Sequence, residues 1–168
     1  MLRVKLLLPI IFLFVATRAF AAAPAPATIY LEADQVDIDD KQGISVYVGN
    51  VKLTRDALTI TADKMTVRRD QQDLKKVLAV GAPVRLHQAA SATSKETTGE
   101  GLRMEYDAQS GEVLLNDTAK LRQESNEFTG NFIRYNVNSE TVTAGKGTAG
   151  ERVHVVIHPK EASKTPAP

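Results

Sequence analysis

The chain has 168 residues, with 21 Lys and Arg against 20 Asp and Glu, and contains no Cys and no Trp. That length allows one domain with a real core. The missing Cys excludes disulfides, thiol chemistry and thiolate metal sites, and a near-neutral charge excludes bulk electrostatic binding of nucleic acid.

The first residues read as a secretory signal. Arg3 and Lys5 make a positive start, LLLPIIFLFVA (6–16) is an apolar run, and AFA (19–21) supplies the small-x-small pattern of a cleavage site. A spanning helix takes roughly 20 apolar residues, whereas this run carries Pro9 and stops before Arg18. The expected cut follows Ala21, and an uncleaved N-terminal anchor is the alternative. Cleavage removes Arg3, Lys5 and Arg18, so 21 − 3 = 18 bases face 20 acids and the net charge becomes −2. Residues 22–28, with Pro24 and Pro26, form a flexible leader, and PKEASKTPAP (159–168) forms a disordered tail, because neither composition can build a core.

Between them, over 29–158, apolar residues alternate with polar ones at period two and no helical pattern stands out. In chain order the stretches are Ile29/Leu31/Ala33, Ile44/Val46/Val48, Val51/Leu53, Leu58/Ile60/Ala62, Met65/Val67 and Val84/Leu86. They continue through Leu102/Met104/Tyr106, Val113/Leu115, Ile133/Tyr135/Val137 and Val153/Val155/Ile157. Turn signals separate them: DDKQG (39–43), GN (49–50), RRDQQD (68–73), GAP (81–83), DAQSG (107–111) and LND (115–117). This predicts an all-β domain of many short strands.

The strands repeat. Shifting the chain by 68 lays 32–67 on 100–135 without a gap, matching Glu32 with Glu100, Asp39 with Asp107, Gly43 with Gly111, Lys52 with Lys120, Leu53 with Leu121 and Thr61 with Thr129. Apolar positions coincide too, as in Ile60/Phe128, Met65/Ile133 and Val67/Tyr135. Two stacked copies of one multi-strand unit are expected, each burying an apolar face against its neighbour.

IYLEADQVDIDDKQGISVYVGNVKLTRDALTITADKMTV (29–67) resembles the signature of the OstA-like family. EADQ follows a short apolar strand, YVGNVKLT reads as a hairpin, ITADKMTV reads as a strand, and GAPVRLHQ and MEYD match as well. The resemblance covers roughly 29–157. It implies a β-jelly roll of stacked antiparallel strands, two facing sheets in a slightly twisted V with open edges. It also implies periplasmic transport of lipopolysaccharide from inner to outer membrane, with an inner-membrane complex and an outer-membrane translocon as partners. The second unit departs from the pattern, since LLNDTAKL puts Asp117–Thr118 where the first has Gly49–Asn50, and a different hairpin turn is expected there.

Residue chemistry is otherwise sparse. His87, His154 and His158 read as surface residues: His154 and His158 are four apart, which in a strand spans roughly 13 Å, too far for one ion. GKGT (145–148) lacks the earlier Gly of a phosphate loop. Asp34, Asp37, Asp39 and Asp40 lack calcium-loop spacing and read as a solvated turn. No nucleophile–base pattern points to catalysis, so the expectation is a non-enzyme without cofactor or metal. Arg68, Arg69, Lys75, Lys76 and Arg85 form the densest basic group; turn charge is the plain reading and lipid phosphate the other.

By alternation the interior holds Ile29, Leu31, Val46, Val48, Leu53, Ile60, Leu86, Met104, Tyr106, Phe128, Ile133 and Tyr135. Under the family resemblance these contact acyl chains of lipid A. An open stack leaves two edges for strand addition, to the next copy head-to-tail or to those family partners: Ala27, Thr28, Ile29, Tyr30, Leu31 and Glu32 at one end, and Arg152, Val153, His154, Val155, Val156 and Ile157 at the other, unless the tail 159–168 covers the latter. The competing readings are an envelope adaptor of the same fold that carries no lipid, and a membrane-anchored inner-membrane member of the family.

Overall fold

The computed structural model describes residues 28–71, 73–92, 94–146 and 152–158. The signal segment, most of the leader including Ala27, and the tail 159–168 lie outside the described residues. Ten strands follow one another: β1 (Ile29–Glu32), β2 (Gln35–Asp39), β3 (Ile44–Arg55), β4 (Leu58–Asp70), β5 (Asp73–Gln88), β6 (Thr97–Asp107), β7 (Glu112–Gln123), β8 (Asn126–Asn136), β9 (Val142–Gly145) and β10 (His154–Val156). All pair antiparallel in a single sheet of order β1-β3-β4-β5-β6-β7-β8-β10, with β2 also on β3 and β9 also on β8.

The central strands are long, 11 to 16 residues, which corrects the expectation of short ones. GN, GAP and ND are not turns. They sit mid-strand, where the ladder loses register between Val48/Val51, Val80/Val84 and Asn116/Ala119, and β4 breaks likewise between Thr61/Lys64. Gly, Asn and Pro mark bulges as readily as turns, and a bulge bends the strand that carries it. Aligned across successive strands, the breaks form a spine along which the sheet folds over on itself.

Two arms result. The first holds β1, residues 51–55, 58–62, 84–88, 97–101, 119–123 and 126–130, and β10; the second holds β2, residues 44–48, 64–70, 73–80, 103–107, 112–116 and 132–136, and β9. The core lies between them, with Leu53, Ile60, Met65, Leu86, Met104, Leu115, Ile133 and Tyr135 at most 1% exposed. The arms approach closely at Gly99, where an added Cβ would lie 2.8 Å from Leu115 Cδ1 of the opposite arm and would push that side chain aside.

The repeat is real at the level of elements. Shifting by 68 carries β1 (29) to the start of β6 (97), β2 (35) to where β6 resumes after its bulge (103), β3 (44) to β7 (112) and β4 (58) to β8 (126). β1 and β2 are one β6-like strand broken at its bulge, a division that the alternation pattern does not reveal. The expected second hairpin turn does not exist: Gly49 and Asn50 (φ 80° and 46°) and Asp117 and Thr118 (φ 62° and 57°) make the same left-handed bulge. A β-branched residue adopts that conformation at a cost. Installing the first unit's pair, Asp117→Gly with Thr118→Asn, is expected to stabilise the fold by about 1 kcal/mol, read as a higher urea midpoint. A lower midpoint would show that the Asp117 and Thr118 side chains hold the bulge.

Candidate functional site

The candidate site is the interior between the arms. Leu53, Ile60, Leu86, Met104, Tyr106, Ile133 and Tyr135 are buried in it, while Ile29, Leu31 and Phe128 are partly covered and pack against it. Val46 and Val48 do not belong there. They pair with Thr66 and Lys64 on the outward phase, and Val48 is 41% exposed. Their neighbours Ser45 and Tyr47 take the inward positions: Ser45 is buried and Tyr47 packs on the core. Three β-branched residues at alternate positions imitate an inward face, and only the position of the spine reveals the phase.

The interior is apolar along its length and unbounded at its ends. Val36 and Ile38 on β2 stand opposite Tyr47 and Ser45, on the inward phase, yet each is 51% exposed because no further strand among the described residues covers them. At the other end Val155 stands opposite Phe128 and is 47% exposed. The expected edges are therefore present as β1 and β10, with Thr28, Arg152, Val153 and Ile157 flanking them, but each end also has a second edge strand, β2 and β9.

Along the rim opposite the spine the arms are joined by polar contacts that alternation does not announce. Arg55 of the first arm donates to Tyr106 Oη at 3.1 Å and Ala108 O at 3.4 Å in the second. Tyr135 of the second arm donates to Gln88 Oε1 at 2.9 Å, with Thr97 Oγ1 at 3.4 Å, and Gln88 Nε2 donates to Val137 O at 3.4 Å. Between these clusters lies a recess of about 350 Å³ lined by Arg55, Gln88, Tyr106, Gln109 and Asn138 among others. A signal did exist: Gln88, Thr97 and Gln123 are polar yet fall on the inward phase, and all three are buried.

The charged groups on the surface are mostly satisfied. Arg69 pairs with Asp40, Lys75 with Asp70 and Lys76 with Glu105, so turn and cross-strand charge accounts for most of the basic group. Asp34 accepts from Asn50 and Asp39 from the Gln42 N–H. A recess of about 500 Å³ on the outer face of the first arm is lined by Arg85, His87, Glu100, Lys120, Arg122 and Glu127. It faces away from the interior, with Lys120 paired to Glu100 and His87 near Glu96. Among the described residues no group of three or more His, Cys, Asp or Glu could hold a metal ion.

An antiparallel sheet folded over an apolar interior and open at both ends defines a β-jelly roll of the stacked kind. Residues 30–141 match the family model described as LptA/(LptD N-terminal domain) LPS transport protein, and the chain belongs to that family. It is 33% identical over 143 residues to the lipopolysaccharide export system protein LptH of Pseudomonas aeruginosa, covering 81% of this chain and 82% of LptH. It is 28% identical over 135 residues to the lipopolysaccharide export system protein LptA of Escherichia coli K12, covering 79% of this chain and 72% of LptA. The crystal structure of LptH, described as the LptA homologous periplasmic component of the conserved lipopolysaccharide transport device, superposes with a TM-score of 0.72 at 33% identity, covering 79% of this chain and 96% of that one. These relatives are named as components of lipopolysaccharide export and transport.

Burial raises the phenols of Tyr106 and Tyr135 above their usual range; the charge of Arg55 opposes this at Tyr106, and the Thr97 hydrogen bond opposes it at Tyr135. A raised folded-state value means stability that is complete below the unfolded phenol value of about 10 and lost as pH rises through the folded one. Lys76 is raised too, mainly by its hydrogen bond to Glu105, and loses its contribution in the same alkaline direction. The urea midpoint should therefore fall above about pH 10. Tyr106→Phe, which has no proton to lose, should fall less steeply; a parallel fall would clear this phenol of responsibility.

Proposed function

We propose that the protein shields the acyl chains of lipid A in the periplasm and hands lipopolysaccharide along a head-to-tail run of copies between an inner-membrane complex and an outer-membrane translocon. The observation that carries this reading is the apolar interior that, among the described residues, continues to both ends of the stack without a closing strand. Family membership and the transport relatives support it. No covalent step is involved.

Magnitudes favour loading. The interior is filled by its own side chains, so acyl chains enter only if the arms part at the rim. Each rim hydrogen bond is worth about 0.5–1.5 kcal/mol net, and only a handful join the arms. Roughly a dozen acyl CH₂ groups removed from water contribute on the order of 10 kcal/mol. The rim can close the empty protein without preventing entry.

The filled interior also favours the second reading, an adaptor that assembles without lipid. Photo-crosslinking separates the two. Crosslinkers at Leu31 and Phe128, where the interior is partly open, and at Ile60 and Leu86 deeper in, should capture lipopolysaccharide. Crosslinkers at Lys52 and Thr59, on the opposite phase, should not. Equal labelling of both phases, or none at any interior position of a folded variant, would remove the carrier reading.

Export is part of the proposal: cleavage after Ala21 leaves 168 − 21 = 147 residues. Intact mass of the protein recovered from cells should place the N-terminus at Ala22 or within a residue or two. A retained Met1 with membrane fractionation would instead fit an anchored family member.

A further inference from the structure

The seam between the two internal units offers a pattern for the seam between two molecules. β5 ends the first unit and β6 begins the second, and they pair as Arg85↔Glu100, Leu86↔Gly99 and His87↔Thr98 in the first arm and as Val77↔Tyr106 and Ala79↔Met104 in the second. Each end of the molecule presents half of this seam. β1 stands where β6 begins, since 31 + 68 = 99, and β2 stands where β6 continues, since 38 + 68 = 106. β10 takes the place of the second half of β5: Val155 lies opposite Phe128 as Leu86 lies opposite Ile60. β9 takes the place of the first half: Val142 lies opposite Tyr135 as Val77 lies opposite Val67.

We propose that a second copy of this chain docks on this end in the register of the β5–β6 seam, antiparallel, with Val155↔Leu31 and His154↔Glu32 in the first arm and Val142↔Ile38 and Ala144↔Val36 in the second. The proposal rests on the head-to-tail reading above and adds its residue pairing. Three observations carry it. Inward residues meet inward residues in both arms at one placement, whereas a slip by one residue would set Leu31 against an outward side chain. The apolar groups left exposed are where it needs them: of the nine large exposed apolar residues among the described ones, Tyr30, Val36, Ile38, Val155, Val156 and Ile157 lie at the two ends. Charge agrees, because His154↔Glu32 reproduces the base–acid pairing of Arg85↔Glu100, and the acidic end (Glu32, Asp34, Asp37, Asp39) meets the end bearing Arg152 and His154. The occupant is therefore another copy rather than the same end of one, since two acidic ends repel.

The chain has no Cys, so introduced pairs report alone. Residues directly opposed across antiparallel strands have Cα atoms about 4.5–5.5 Å apart, within disulfide reach, while a pair displaced by two residues lies beyond about 7 Å and is out of reach. The mature protein carrying Glu32→Cys with His154→Cys should give a ladder of covalent oligomers on non-reducing gels after mild oxidation. Glu32→Cys with Val156→Cys, and Tyr30→Cys with His154→Cys, should stay monomeric on the same gels. Light scattering of each unoxidised variant and of wild type runs alongside. Concentration-dependent growth together with a ladder from a displaced pair, or with no ladder from any pair, overturns the register and leaves head-to-tail assembly standing. Absence of growth in wild type overturns the assembly reading and the register with it.

Discussion

A strand has two faces and alternates strictly between them, and that constraint shapes this molecule. To fold one sheet over a single interior, each long strand must bend at the spine and still point its apolar residues inward on both sides. β3 and β7 keep one parity, from Tyr47 to Val51 and Leu53 and from Leu115 to Ala119 and Leu121. The two left-handed residues at each of their bulges, Gly49–Asn50 and Asp117–Thr118, conserve that phase. β4, β5 and β6 change parity instead: Ile60 and Ala62 give way to Met65 and Val67, Val77 and Ala79 to Val84 and Leu86, and Gly99 to Met104 and Tyr106. Bulges that insert different numbers of residues meet the same demand in different strands.

This is also where the sequence stops being legible. Rim turns such as DDKQG, RRDQQD and DAQSG are read correctly because a chain reversal needs residues that cap themselves, and Asp107 does so by accepting from the Gln109 and Ser110 N–H groups. GN, GAP and ND use the same residue types for a bend within a strand, and composition does not distinguish the two uses. The error propagates: with the spine unplaced, Val46 and Val48 take the inward phase that belongs to Ser45 and Tyr47. The offset of 68 is robust because it compares the chain with itself, so bulges and turns shift together. Inward polar residues at the rim, Gln88, Thr97 and Gln123, look like ordinary surface residues until the phase of their strands is known.

A filled interior and a carrier role are compatible because the two arms are unequally joined. Along the spine they share continuous backbone; along the rim they meet through a few side chains, among them Arg55, Tyr135 and Gln88. Opening at the rim therefore breaks few hydrogen bonds and leaves the strand ladders of each arm intact. The buried side chains that would be uncovered are those that an acyl chain would cover again, so the apolar area exposed by parting is restored by the ligand.

The ends of the stack raise the opposite difficulty, since an unpaired edge invites any strand. The end rungs are split: where interior strands run 11 to 16 residues, the edges are pieces of 4, 5, 4 and 3. A short edge offers too few ladder bonds to hold a stray strand, yet in the docking proposed above two short edges on separate arms would engage together, because the incoming molecule carries both complements at the right spacing. Only a surface with two arms at this spacing and inward apolar residues on each satisfies that requirement, and the unit that ends in β9 and β10 satisfies it because it is built to the same repeat as the unit that begins with β1 and β2. On that proposal, selectivity at the ends would follow from the repeat itself, without a dedicated recognition motif.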